Sequence, residues 1–524
     1  MTREGLIRRY DALLAKHGSQ RAIAIAYDIP RTTIQEWLKA PRFVTTAPAK
    51  PVVIRKPRGN AVKRFIFSSA QTETAVHLSF LRNLEAYAAA LGAEIVIGGY
   101  SYNKRLFEEH RKDNATYAPK IVPYLGNRRV EIGDNLSWCG EMNTLPTAVS
   151  PLTGFEVYTK RKWGIFPHAK VQLLSVPTMK STPAKILMTT GSVTLPNYVQ
   201  KRAGIRAHFH HIIGAVLVEI DADGDHFCRH LLAEEDGSFQ DLTRVVRDGQ
   251  VSDGNRVEAI TWGDLHSERI DPIVLEAAFG VKENGSLVRG DCMLDWLTPR
   301  FQFFHDVTDF AVRNHHNIKD PHFRIRMMAR GTDSVADSLE GVGSLLEKLQ
   351  RSWCQSVVVE SNHDRALLRW LKEADWRQDP INAEFFLGAQ LACVEAILNG
   401  GKRFSPLEWA LRRANSFLRN VDFLREDESF PICNGTIECG MHGHLGANGS
   451  EGSPRQFTKA GSKANTGHTH SASIIDGVYT AGTSSKLDMG YNTGLSSWSH
   501  SHVVTYTSGK RTIVTMQGPK FCAQ

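Results

Sequence analysis

The chain has 524 residues, 42% hydrophobic and 23% charged. That is a length for roughly two to four domains and a composition that excludes a largely disordered, collagen-like or disulfide-stapled protein. The formal charge of +8 is unevenly placed, because residues 1–64 carry a net +10 and the remainder a net −2, so a terminal module facing a polyanion, nucleic acid first, is expected.

No apolar run approaches the roughly 18 residues of a membrane helix, and no apolar segment adjoins Met1-Thr2-Arg3-Glu4-Gly5. Neither a membrane nor a secretory signal is therefore expected. Eight cysteines without a C-x-x-C pair fit free thiols in a reducing cytoplasm.

In chain order, Leu6, Tyr10, Leu13 and Leu14 share one helical stripe over residues 6–16, and His17-Gly18 stops that helix. Ser19 is placed to cap a second helix over residues 20–27. Asp28-Ile29-Pro30 turns into a third helix over residues 31–39, with Ile29, Ile34, Trp37 and Leu38 as its buried side. Two short helices, a tight turn and a third helix with Arg31, Thr32, Thr33 and Gln35 free to point outward resemble a helix-turn-helix DNA reader. A plain three-helix docking unit shares the pattern, and the local excess of Arg and Lys favours DNA. Residues 41–64 then intersperse four prolines with Arg and Lys and contain no acidic residue. They read as an extended tether whose Arg55, Lys56 and Arg58 lie along phosphates.

Residues 65–250 read as an α/β domain of unassigned role. A strand at 64–67, a helix from about Glu73 to Leu91 and a strand at 93–99 make a β-α-β unit, with further strands at 171–176, 185–189 and 215–220. His208 and His210 are expected on one strand face, where a structural or substrate-contact role suits them better than a metal site. Asp221-Ala222-Asp223-Gly224-Asp225 lacks the downstream Glu of a calcium loop and reads as a hairpin turn.

Residues 251–524 carry the strongest signal. Strand-like runs end in Asp264-Leu265-His266, Asp306-Val307-Thr308-Asp309 and Asn362-His363-Asp364, followed by Gly440-Met441-His442-Gly443-His444 and Gly467-His468-Thr469-His470. Open α/β sheets place ligand sites at the carboxyl ends of their strands. Carboxylates, imidazoles and an amide without thiolate suit a pair of divalent ions rather than a structural zinc. The order of the segments and their strand contexts argue against unrelated polar loops. Helices over 337–353 and 384–398 and strands over 473–479, 503–506 and 511–516 fill the intervals.

This ordered set resembles the calcineurin-like metallophosphoesterase family, with its D-x-H, G-D-x-x-D, G-N-H-D/E, lone His and G-H-x-H segments. His305 and Ser361 stand where the family has Gly. The resemblance implies a two-sheet α/β sandwich with helices outside, here preceded by another α/β domain and a small all-α N-terminal module. It also implies that Asp264, His266 and His470 hold one metal ion, Asn362, His442 and His468 the other, and that Asp306 bridges them, with His444 as the fallback for His442. Mn2+ is the first choice of ion, and Fe2+, Zn2+ or Mg2+ are alternatives. His363, oriented by Asp309, is implied to protonate or stabilise the leaving oxygen while an activated water attacks phosphorus. Asp364 is more simply a helix-start residue. Arg313-Asn314-His315-His316 either contacts phosphate or lies on a solvated helix face, and His500 and His502 are structural.

The segment from Gly467 to Tyr479, with Ser496-Ser497-Trp498 and the earlier Pro167-His168-Ala169-Lys170 and Thr189-Thr190-Gly191, is similar to a phage-encoded subgroup. That subgroup includes the DNA-transfer proteins of large tailed phages, associated with destruction of host DNA. The domain order expected is a helix-turn-helix at 1–40, a basic linker at 41–64, an α/β domain at 65–250 and a metallophosphoesterase domain at 251–524. The activity expected is hydrolysis of DNA phosphodiesters by a two-metal nuclease in the cytoplasm of a bacterial host. A phosphomonoesterase for nucleotides or phosphoproteins and a DNA-binding regulator with a structural metal site are the alternatives, and a homo-oligomer is compatible with either.

Overall fold

The N-terminal helices run Arg3–His17, Gln20–Tyr27 and Arg31–Lys39 in a computed structural model that describes residues 2–39, 44–45, 61–102, 116–315, 317–400, 404–415 and 417–523. Thr2 and Ser19 cap the first two helices by accepting from the Gly5 and Ala22 N–H groups, and Gly18 ends the first at a φ of 74°, a left-handed position that costs glycine little. Leu6, Leu13, Ile23, Ile29 and Ile34 form the small core, with Tyr10, Leu14, Trp37 and Leu38 packed at its rim.

From Lys63 onward the chain is α/β. Lys63–Gln71 and Ala93–Tyr100 are parallel neighbours joined by the helix Leu78–Leu91, and Gly214–Ile220 and His226–Leu232 complete a four-stranded sheet. The helix starts at Leu78 rather than at Glu73. Glu73 has a φ of 55° and donates its N–H to the Thr116 carbonyl, and Val76 bridges Thr194, so the chain is held out of the helix until the His77 side chain caps it.

The six-stranded sheet has the order Val421–Leu424, Gln355–Val359, Phe301–His305, Ala259–Thr261, Ser501–Thr505, Arg511–Thr515, the first four parallel. Its central strands Phe301–His305 and Gln355–Val359 are buried on both faces, which is why they read as largely apolar runs. Phe304 and Val358 join the core under the helices, while Phe303, Val357 and Val359 face Ile432, Ile437 and Cys439 of a second sheet. That second sheet has ten strands and draws on both halves of the chain. This sheet crosses residue 250, because Ser473–Ile475 pairs antiparallel with Leu173–Val176, Ser473 opposite Leu174. The strand Arg511–Thr515 also reaches across sheets, the Thr512 hydroxyl accepting from the His230 N–H at 3.0 Å.

Two local readings differ from the structure. The run 473–479 is a hairpin of Ser473–Ile475 and Val478–Thr480, turned at Asp476-Gly477 with φ of 47° and 89°, the geometry of a two-residue hairpin loop. His208 lies in the helix Arg202–Phe209 and His210 is its C-cap, so they share no strand face. The Asp221–Asp225 segment is a hairpin turn, with Asp221 accepting three backbone N–H groups and Lys520 reaching all three carboxylates. The helix Ala383–Leu398 packs Phe386 and Ala389 inward and leaves Leu387, Leu391 and Val394 about half exposed. By length and composition alone the stretch Pro380–Leu398 could cross a membrane.

Candidate metal centre

Asp264 and His266 follow the carboxyl end of Ala259–Thr261, Asp306 and Asp309 that of Phe301–His305, and Asn362 and His363 that of Gln355–Val359. The parallel order brings three loops remote in sequence to one edge. His442 and the His468–His470 turn enter from the facing sheet. Asp264, His266, Asp306, His442 and His470 are all buried. The Nε2 atoms of His266 and His470 are 3.0 Å apart, and His470 Nε2 lies 3.2 Å from Asp264 Oδ2 and 3.9 Å from Asp306 Oδ2. His442 Nε2 is 3.5 Å from Asp306 Oδ1. Asp306 thus stands between one group with His266 and His470 and another with Asp264 and His442, each able to converge on one ion.

These residues fit cations by an independent criterion. Both carboxylate oxygens of Asp264 and of Asp306, together with His442 Nε2, are buried without a hydrogen-bond partner. Such groups cost several kcal/mol unless something charged satisfies them. His266, Asp306, His468 and His470 also hold positive φ between 42° and 73°, each a strain of order 1–3 kcal/mol of the kind that gathers at functional sites.

His442 is the buried member of its segment, whereas His444 points to Glu426 at 3.0 Å, so the geometry favours His442 over His444. His305 places its Nδ1 3.3 Å from His442 Nδ1. A neutral pair needs one N–H between them, and His442 as donor keeps its Nε2 lone pair toward Asp306. His468 packs its ring 5.1 Å from that of His442. Asn362 is exposed and lines, with His363 and His444, a cavity of about 390 Å3.

His363 Nδ1 lies 3.5 Å from Asp309 Oδ1, which is also 3.5 Å from His266 Nδ1. Glu268, which no sequence pattern marked, fixes this loop by accepting from the Asp309 and Phe310 N–H groups and the Thr308 hydroxyl. Asp364 ties the loops together by accepting from Thr308 and Ser361 N–H groups, a structural role that agrees with its reading as a non-catalytic residue.

The electrostatics of the cluster's own side chains are asymmetric. Burial, then the Asp306 charge, pushes Asp264 well above the carboxylate range. Burial alone would raise Asp306 too, but the imidazoles of His442, His363 and His266 hold it well below. Two carboxylates this close do not both ionise without a compensating cation. Burial also works against a charged His266, yet Asp306, Asp309 and Asp264 raise it to about 9, so a cation taking that nitrogen displaces a proton. Burial pushes His470 and His305 down to about 4 and His442 further, leaving neutral imidazoles with lone pairs to offer.

In the N-terminal helices Arg31, Thr32 and Gln35 are exposed and Thr33 is half-buried. Arg55, Lys56 and Arg58 lie outside the described residues, as does His316. Arg313 is neither a phosphate contact nor on a solvated face: it is buried between Asp333 and Asp379. His502 accepts from the Gly263 N–H and His500 meets the Ser485 carbonyl, both structural. Tyr491, which meets Trp498 where that ring covers His470, and the basic side chains of the helix Ala366–Glu373 went unmarked in the sequence because neither has a spacing that announces chemistry.

No family model matches the chain. Over 470 residues it is 41% identical to Protein A1 of Escherichia phage T5, an alignment that takes in 88% of this chain and 83% of that protein.

Proposed function

We propose that this phage protein, which belongs to the family of Protein A1 of Escherichia phage T5, is a calcineurin-like metallophosphoesterase that hydrolyses DNA phosphodiesters inside the host cell. The observation that carries the reading is the set of buried, partnerless carboxylate and imidazole atoms delivered to one point by separate segments of the chain. The donor set of oxygens and imidazole nitrogens suits Mn2+ above all, with Fe2+, Zn2+ or Mg2+ as alternatives.

Asp264, His266 and His470 would hold one ion and Asn362, His442 and His468 the other, with Asp306 shared and Asp264 close enough to both groups to serve either. A bound pair of such ions supplies Lewis-acid charge to phosphate oxygens and acidifies a water at neutral pH. The protein's own groups do the rest. His363 turns Nδ1 to the Asp309 carboxylate and carbonyl, at 3.5 and 3.4 Å, which leaves Nε2 to carry a proton to the leaving oxygen. Arg365, Arg369 and Lys372 line the adjoining cavity and give an anionic backbone a path to the centre. DNA rather than a small phosphate ester is favoured by the net +10 of residues 1–64 and by the exposed third-helix side chains.

The test is cleavage of supercoiled and linear DNA with Mn2+, Mg2+ or EDTA, beside Asp306→Ala and His363→Ala. Cutting is expected with Mn2+, none with EDTA or Asp306→Ala, and a loss of about 10²–10⁴-fold in His363→Ala. Turnover of a phosphomonoester without any DNA cutting would instead support the phosphomonoesterase alternative.

A further inference from the structure

The His470 ring is covered by Trp498, edge-on at 4.2 Å and 68°. Trp498 in turn meets Tyr491 at 6.1 Å and 67°. A file of aromatic rings therefore leads from an expected metal ligand out to solvent, where Tyr491 is 53% exposed. An exposed aromatic beside buried carboxylates is not needed for the core of either sheet.

The segment that carries Tyr491 is pinned at both ends. At one end the Lys486 N–H donates to the Arg269 carbonyl at 3.0 Å. At the other, Leu495–Ser496 pairs with Thr178–Met179 from the first half of the chain. Between them the Met489 N–H donates to Asn492 Oδ1, the Asn492 amide donates to the Leu487 carbonyl, and Lys180 pairs with Asp488 at 2.7 Å. The ring is thus presented by a loop already ordered, so little conformational entropy is lost when something stacks on it. Burial, and then the charges of Asp309, Asp306 and Asp264, push its hydroxyl above the ordinary phenol range.

We propose that Tyr491, backed by Trp498, is a stacking platform for an unpaired base next to the scissile phosphate, so that the preferred substrate is DNA single-stranded at the cleavage point. The inference rests on the DNA phosphodiesterase reading and refines its substrate. Within a duplex both faces of a base are covered by its neighbours, and only an unpaired base offers a face to a side chain. Stacking is indifferent to sequence because every base has such a face. The backbone of the same strand would run past the basic side chains of the helix Ala366–Glu373, which line the cavity beside His363.

The experiment compares Mn2+-supported kcat/KM on a single-stranded oligonucleotide, on the same sequence as a duplex, and on bis(p-nitrophenyl) phosphate, for wild type, Tyr491→Ala and Tyr491→Phe. The wild type is expected to favour the single strand. Tyr491→Ala should lower the ratio of single-strand to small-diester turnover by roughly 5- to 150-fold, and Tyr491→Phe, which keeps the ring, should hold that ratio. An unchanged ratio in Tyr491→Ala, or an equal loss in Tyr491→Phe, overturns the platform while leaving the nuclease reading intact. Turnover of the small diester by a wild type that cuts neither DNA overturns the DNA reading and the platform with it.

Discussion

Gly467 shows how tightly the centre is built at the level of single residues. A Cβ there would come within 2.2 Å of Asp264 Oδ1, closer than real side chains approach, and within a tight 3.1 Å of the His305 ring. Gly467→Ala is therefore expected to leave the sheets intact and displace the Asp264 carboxylate, so that Mn2+ affinity falls by at least about tenfold, as disturbing a well-oriented ligand does; an unchanged affinity by calorimetry would show that Asp264 is no ligand. The sequence exposed Asp264, His266, Asp306, His442 and His470 because their chemistry follows strand ends in a fixed order. It did not expose Glu268 or Tyr491, whose roles depend on which loops meet in space. Arg313 was misread for the same reason: its partners Asp333 and Asp379 lie 20 and 66 residues away.

At the level of elements, the second and third N-terminal helices were legible to the residue, since Ser19 caps one and Asp28-Ile29-Pro30 turns into the other, while the first begins at Arg3, ahead of its apolar stripe. The hairpin at 473–480 was not, because Asp476-Gly477 interrupts an apolar run that reads equally well as one strand. The Arg31, Thr32 and Gln35 side chains stand exposed on the third helix, and the charge of residues 1–64 adds to them. Removing residues 1–60 should weaken binding to long DNA and flatten its salt dependence, the slope of log affinity against log salt falling by about 0.9 for each phosphate that the segment neutralises. Hydrolysis of a small phosphodiester should continue in that shortened protein. An unaltered salt slope would contradict a DNA-reading role for the segment.

At the level of the whole molecule, the halves of the chain are one fold. Ile474, Tyr479, Val503 and Ile513 share a core with Phe67, Leu173 and Val216, and no local pattern reveals that two distant hairpins complete one sheet. Residues 251–524 expressed alone would expose that core and the edge at Ser473–Ile475. They are expected to be insoluble or to unfold without a cooperative transition, whereas a sharp transition would show that the half is self-sufficient.

The same interior predicts acid lability. Burial pushes His168, His211, His226 and His230 down to about 4, below the 6.5 or so of an unfolded chain. The unfolded state therefore takes up protons first as the medium acidifies. The contribution of these neutral histidines is complete above about pH 6.5 and is lost as pH falls toward 4, at about 1.4 kcal/mol per unit for each. Tm should drop steeply between pH 6.5 and 5, before carboxylates titrate, and a flat Tm over that range would contradict the burial of these rings.

The most direct measurement of the central claim is the count of Mn2+ bound by metal-free protein, by calorimetry and by metal analysis after desalting, for wild type and Asp306→Ala. About two ions per chain in the wild type, with both weakened when the shared carboxylate is removed, is the result predicted. Wild-type protein that binds none, or an Asp306→Ala variant that binds as the wild type does, would contradict a dinuclear centre and the hydrolytic chemistry built on it.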